Sequence, residues 1–276
     1  MAIGRPDYDF ADPSRLVSAV ENIHPSIIIN PAAYINVDRA EEEPDLAFAI
    51  NSRAAGAIAA AAEKLRIPII HLSTDYVFDG NKSTPYFESD PTAPLGIYGA
   101  SKVAGEVAVA EANTKHVILR TSWVCSPYGT NFLKTMLRLA ADRPELRVVD
   151  DQVGAPTFAH DIASAIADIV LKLTTAPDAQ NLYGTFHYAS CGETTWCQFA
   201  RAIFEQSARR GGPRTNVTAI ATHEYPTKVR RPKYSKLDTT KVFDAYGIAA
   251  PNWEAGLETC LDQLLAQQPA THGLIR

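Results

Sequence analysis

Tyr98 and Lys102 stand four residues apart in Tyr98-Gly99-Ala100-Ser101-Lys102, at the mouth of a stretch that reads as helix. Residues at i and i+4 share one helix face, so this phenol and this ammonium can point into one cleft. A nearby cation favours phenolate, and the spacing therefore predicts a Tyr98 that trades its proton nearer neutrality than the free value of about 10. Upstream, Ser73-Thr74-Asp75 follows an apolar run. The Thr74 hydroxyl can steady an oxyanion as it develops. Together the three groups can protonate a carbonyl oxygen while hydride arrives at its carbon. Asp75 either orients a substrate hydroxyl or forms the turn after a strand.

These residues need a scaffold of alternating strands and helices. Asp12-Pro13 is a helix start, and Leu16, Val17, Val20 and Ile23 keep helical spacing up to His24-Pro25. Ser26 to Asn30 and Pro68 to Leu72 are short apolar runs of strands buried on both faces. Between them, Pro44 to Leu65 reads as one long helix. Phe78 to Pro94, with Asp79-Gly80 and three prolines, reads as a loop over the cleft. Tyr98 to Asn113 is the helix that carries the chemistry, and Val117 to Arg120 is another strand. Asn131 to Asp142, Ala159 to Leu173, Thr195 to Arg209 and Trp253 to Leu265 read as helices, and Leu146 to Val149 and Gly184 to Ala189 as strands. The tail after Gln267 is expected to fray. This alternation predicts an α/β fold with a parallel sheet, in two parts: residues 1–150, and a smaller mixed α/β lobe over 151–276 that exchanges some chain with the first.

With 276 residues, 46% apolar and 21% charged, the chain has the composition of a globular protein with a substantial core. A net charge of −5 argues against a dedicated nucleic-acid binder. Cys125, Cys191, Cys197 and Cys260 form no CxxC pair and read as free thiols of a reducing cytoplasm. There is no leader pattern and no apolar run long enough to span a membrane. No Cys/His spacing suggests zinc, and Glu41-Glu42-Glu43 reads as a solvated acidic helix start rather than metal bait. His71, inside an apolar strand, reads as a satisfied core histidine.

Seven blocks carry a family resemblance: Asn30 to Tyr34, Val37 to Glu41, Ser73 to Phe78, Tyr98 to Lys102, Arg120 to Val124, Asp151 to Thr157, and Arg230-Arg231-Pro232 with Ser235 to Asp238. A lone YxxxK is common by chance, whereas seven blocks in order are specific. In them the chain resembles the extended short-chain dehydrogenase/reductases, and among these the dTDP-4-dehydrorhamnose reductases. The resemblance implies a Rossmann-like doubly wound sheet, NADPH or NADH as cofactor, and a dTDP-sugar as small-molecule substrate whose C4 ketone is reduced. It makes Tyr98 the proton donor, Lys102 its tuner and a partner of the nicotinamide ribose, and Thr74 the group that polarises the ketone. Asp9, Phe10, Asn30, Ala32, Ala33, Tyr34 and Ser73 fall at cofactor-contacting positions. Asp75 and Trp123 fall at sugar-contacting positions, and Arg230 and Arg231 are placed to pair with the diphosphate through forked bonds. For Trp123 core packing is the alternative, and for the arginines a solvated basic loop. A homodimer is left open.

The family begins with a strand, a glycine-rich turn and a helix that hold the cofactor pyrophosphate. Here Gly4 is the only glycine before Gly56, and the matching starts near Ile3-Gly4-Arg5-Pro6, at the tail of the family's second strand. Roughly thirty residues are missing against a complete first βαβ unit. In the order 3-2-1-4-5-6 strand 1 is central, so its absence leaves one edge of strand 4 unpaired. Three explanations stand open: a longer natural protein, a natural but cofactor-poor chain, or a replacement element. A non-catalytic role, like that of the related regulatory subunit of methionine adenosyltransferase, is the alternative to catalysis, as is a truncated inactive reductase.

Overall fold

The computed structural model describes residues 1–266. The chain forms two compact units that interleave in sequence: one built from Met1–Ser122, Ala163–Ala189 and Pro226–Ala249, the other from Trp123–Ile162, Ser190–Tyr225 and the chain from Ala250 onward. The first division falls after Ser122, and the chain then crosses between the units several times.

The first unit holds a parallel sheet of four strands: β1 (Ile28–Asn30), β2 (Ile69–Thr74), β3 (His116–Thr121) and β8 (Gly184–His187), in the order β1-β2-β3-β8. In register, Asn30 faces His71, Thr74 faces Thr121, and Arg120 faces His187. All carboxyl ends therefore lie on one side, where open α/β sheets bind ligands. Gly184 to His187 belongs to this sheet and not to the second lobe, because its register follows β3 rather than its neighbours in sequence. β1 is an edge strand, and Ile29 in its middle is 45% exposed.

Helix α1 (Ser14–Ile23) starts where Asp12 accepts the Ser14 N–H and ends at His24 in left-handed conformation. After the short α2 (Val37–Ala40), the long expected helix is interrupted. It runs as α3 (Pro44–Phe48), a π-helical turn Ala49–Ala54, and α4 (Ala55–Lys64). Such a wide turn holds one residue more than an α-helix would. Leu16, Ala54, Ala55, Ile58, Ile69, Val109 and Ile118 form the apolar layer between these helices and the sheet. Helix α5 (Ile97–Ala112) crosses the same layer. It approaches the π turn so closely that a Cβ on Gly105 would overlap the Asn51 carbonyl oxygen.

The second unit contains β4 (Val124–Cys125), α6 (Phe132–Ala140), β5 (Glu145–Val149), β6 (Val153–Gly154) and β7 (Thr157–Phe158), and α7 (Ala159–Thr175) begins in it. It also contains β9 (Thr194–Thr195), α8 (Trp196–Arg209), β10 (Asn216–Ile220) and α10 (Trp253–Ala266). Its core gathers Leu133, Phe158, Phe199, Ile203, Leu257 and Leu261. Thr195 caps α8, as expected, by accepting the Gln198 N–H at 3.1 Å. Strand β10 and the short α9 (Thr240–Tyr246) of the first unit had no clear sequence signal. The tail after Gln267 lies outside the described residues. Among the described residues no helix is long and apolar enough to cross a membrane, and no group of His, Cys, Asp and Glu is arranged to hold a metal ion.

Candidate active site

Thr74 ends β2 with its hydroxyl at the centre of a small polar cluster. It donates to Asp75 Oδ1 at 3.0 Å and accepts the Tyr76 N–H at 3.2 Å, and it stands near enough to the Tyr98 phenol to pull its pKa down. The Tyr76 ring meets Tyr98 edge-on, with centroids 5.6 Å apart. Ser101 Oγ donates to the Tyr98 carbonyl at 2.7 Å inside the first turn of α5. Two orphan acceptors mark the cluster: Asp75 Oδ2 and Ser73 Oγ are buried with no partner among the described residues. Asp75 is 2% exposed, and burial pushes its carboxyl up to about 7 against hydrogen bonds from Ser235 and Thr74 that pull it down.

The expected lowering of the Tyr98 pKa is not what the structure shows. Burial raises the phenol above its ordinary value of 10.0, the Thr74 hydrogen bond offsets part of this, and the Asp75 charge adds to it. Lys102 is not a cause of any shift at Tyr98. Its ammonium is drawn to the Leu72 carbonyl at 2.7 Å and lies 3.4 Å from His71 Nε2. Sharing a helix face brings the two side chains to one side but leaves the long lysine free to reach β2. Lys102 is 2% exposed, and burial lowers its pKa to about 8 despite the Glu106 charge.

The candidate cofactor residues lie on a different wall. A cleft of about 980 Å³ runs along β1 and is lined by Phe10, Asn30, Ala32, Ala33 and Tyr34 among others. The small Ala32 and Ala33 leave backbone accessible there, which suits a flat ligand, and Asn30 ends β1 at the sheet's carboxyl side. These residues fit the ribose and base end of a dinucleotide. Asp9 is exposed, paired with Arg5 at 3.1 Å and capping the Ala11 N–H at 3.0 Å.

Arg230 and Arg231 do not act as a pair. Arg230 is exposed. Arg231 donates to Asp38 at 2.6 Å and lies 5.9 Å above the Tyr76 ring, with its Nη1 buried and unpartnered among the described residues. In the second unit, Trp123 has a positive φ of 45° and stacks on Trp196 at 3.5 Å and 5°. Gly154 lies against the same indole, and a Cβ there would be 2.5 Å from Trp123 Cε2.

Sequence reasoning missed two groups. Asn51, fully buried in the π turn, accepts the Tyr34 N–H at 2.7 Å and donates to the Tyr34 carbonyl at 3.0 Å and to Ser101 Oγ at 2.9 Å. It ties the loop after β1 to α5. Glu41 accepts the Ile97 N–H at 2.7 Å, while Glu43 takes the Tyr34 hydroxyl and Glu42 pairs with Lys228. The three glutamates are thus committed partners rather than a merely solvated face. The only sequence signal for Asn51 was a polar residue within a helix otherwise rich in alanine, and for the glutamates there was none. His71 is the satisfied core histidine expected, fully buried with both ring nitrogens partnered.

A family model described as RmlD substrate binding domain matches residues 1–266. A protein of Sinorhizobium fredii (strain NBRC 101917 / NGR234) named dTDP-4-dehydrorhamnose reductase is 46% identical over 267 residues, covering 97% of this chain and 90% of that protein. One of the same name from Escherichia coli (strain K12) is 43% identical over 258 residues, covering 93% and 85%. The crystal structure of dTDP-4-dehydrorhamnose reductase from Bacillus anthracis str. Ames in complex with NADP has a TM-score of 0.81 at 39% identity, over 92% of this chain and 86% of that one.

Proposed function

We propose, from the premise that the chain belongs to the RmlD substrate binding domain family, that it is a dTDP-4-dehydrorhamnose reductase. It is an NAD(P)H-dependent oxidoreductase of the extended short-chain dehydrogenase/reductase type, reducing the C4 ketone of dTDP-4-dehydro-6-deoxy-L-mannose to dTDP-L-rhamnose. The observation that carries this reading is the Tyr98 phenol, its pKa pulled down against burial by the Thr74 hydroxyl that ends β2, on the helix that carries Lys102 one turn further on. We place the reaction in the cytoplasm, a reading supported by four free cysteines.

When bound, NADPH or NADH supplies the hydride. Burial keeps the proton on Tyr98 until a stronger base forms beside it, and an alkoxide at C4 is such a base. Tyr98 then gives its proton to that oxygen and is reprotonated from solvent. Thr74 holds the phenol in place and can turn its hydroxyl to the developing oxyanion. Lys102, protonated at neutral pH with its pKa near 8, supplies a positive charge behind the site and holds the ribose. Asn30, Ala32, Ala33 and Tyr34, with Phe10, form the cofactor wall, and Ser73 meets the cofactor from the end of β2. In the first unit Asp75, Arg230 and Arg231 are the groups for the sugar and its diphosphate, and in the second unit Trp123 is the candidate sugar contact.

The test is NADPH oxidation with the keto sugar, alongside NADPH titration by fluorescence. Tyr98→Phe is expected to lower the rate by about 10²–10⁴-fold and leave NADPH binding intact. Equal rates reject Tyr98 as the acid. An unaltered chain that binds no NADPH favours a scaffold or a truncated inactive reductase.

A further inference from the structure

We propose that His71 is the positioning residue of Lys102: a neutral imidazole that, with the Leu72 carbonyl, fixes two of the three ammonium N–H bonds and aims the third at the site. The inference rests on the reading of Lys102 as a site lysine. His71 is fully buried in β2, an unusual place for a ring with two polar atoms. Both atoms have partners: Nε2 lies 3.4 Å from Lys102 Nζ, and Nδ1 lies 3.2 Å from the Asn30 side-chain amide. Burial and the Lys102 charge both push the ring pKa well below 6.5, so it is uncharged at neutral pH.

An ammonium can only donate. Nε2 must therefore be the nitrogen with the lone pair, and the proton belongs on Nδ1. Asn30 is set with Nδ2 toward Nδ1 and Oδ1 toward the Ala32 N–H at 3.3 Å. Which end of an amide is oxygen is assigned from the bonding network. With the proton on Nδ1 the amide is turned over, so that its oxygen accepts from Nδ1–H and the Ala32 bond is given up. The ring thus joins a wall of the β1 cleft, through Asn30, to the ammonium on α5. The other charged groups around Lys102 are already committed. Glu106, one turn along α5, is held by Arg120 of β3 through bonds of 2.9 and 2.7 Å. Lys102 contributes nothing to the pKa of Tyr98, whose largest polar influence is Thr74. His71 and Leu72 alone anchor the ammonium among the described residues.

The first arm of the test needs no variant. Nitrogen-15 NMR of the histidines in the unaltered chain is expected to show His71 as the Nδ1–H tautomer at pH 7; an Nε2–H tautomer overturns the proposal. The second arm compares His71→Gln, whose amide oxygen can reach Lys102, with His71→Asn, which is too short. His71→Gln is expected to bind NADPH within about threefold of the parent. His71→Asn is expected to bind it about tenfold more weakly, with the basic limb of the binding–pH profile moved to lower pH because the ammonium has lost an acceptor. Equal NADPH binding and equal pH limbs in both variants overturn the proposal, as does equal weakening in both with unfolding, which marks a merely structural residue. If the parent itself binds no NADPH, the tautomer alone decides the role of His71.

Discussion

Glu41 reaches across 56 residues of sequence to accept the backbone N–H of Ile97 at 2.7 Å, and so caps the helix that carries Tyr98 and Lys102. Gly96, the residue at the cap position, has no side chain to do this. A carboxylate at a helix N-terminus satisfies an orphan donor and complements the dipole. Glu41→Ala is expected to cost about 0.5–2 kcal/mol of stability in urea denaturation. It should also lower kcat on the keto sugar, whereas Glu41→Gln, which keeps an acceptor, should recover most of both.

The pair Arg120–Glu106 is the buried ion pair of the sheet, with side chains 6% and 8% exposed. Removing one partner strands a charge in the core. Arg120→Met is expected to destabilise the chain by about 3–5 kcal/mol, and Arg120→Met with Glu106→Leu to recover much of the loss. Thermal melts of the single and double variants check this; equal melting temperatures for the two would refute it.

Asp75 gives a pH signature. Its folded pKa of about 7 lies above the ordinary 3.8, so the native state binds its proton more tightly than the unfolded chain does. The stability this group contributes is present below pH 4 and is lost as pH rises through 7. At ~1.4 kcal/mol per unit the change amounts to a few kcal/mol. Asp75→Asn should therefore melt close to the parent at pH 4 and above it at pH 8.

Lys102 has the opposite signature. Its folded pKa of about 8 lies below 10.5, so the unfolded chain holds this proton more tightly and stability rises with pH between those values. Lys102→Met is expected to flatten the stability–pH curve over that range. A curve with the parent's slope would show that another group produces it.

The Trp123–Trp196 stack predicts a separable substrate effect. Gly154→Ala puts a methyl group against the Trp123 indole, and overpacking of this kind costs about 1–3 kcal/mol. The near-ultraviolet circular dichroism of the stacked indoles should weaken and KM for the keto sugar should rise severalfold, with NADPH affinity unchanged. An unchanged KM would remove Trp123 from the sugar site.

Strands β1 and β2 were legible because each is a short apolar run opened by Ser or Pro and closed by Asn or Ser. Helix starts at Asp12 and Thr195 were legible because a capping side chain is a local device. Local signals do not say which sheet a strand joins, so Gly184 to His187 was misplaced. Nor do they show where a flexible amine ends up. The spacing of Tyr98 and Lys102 put both on one face, and the Leu72 carbonyl then decided where the ammonium went. Asn51, His71 and Glu41 act on partners 17 to 56 residues away, beyond the reach of any periodicity.

The wide turn at Ala49–Ala54 has a consequence for evolution and engineering alike. Deleting one residue there would restore an unbroken α-helix with better hydrogen bonding, and would rotate the segment before the deletion by about 100° relative to the segment after it. The Asn51 amide would swing away from Tyr34 and Ser101, and the straighter, more regular chain would have lost the latch between its ligand cleft and its acid.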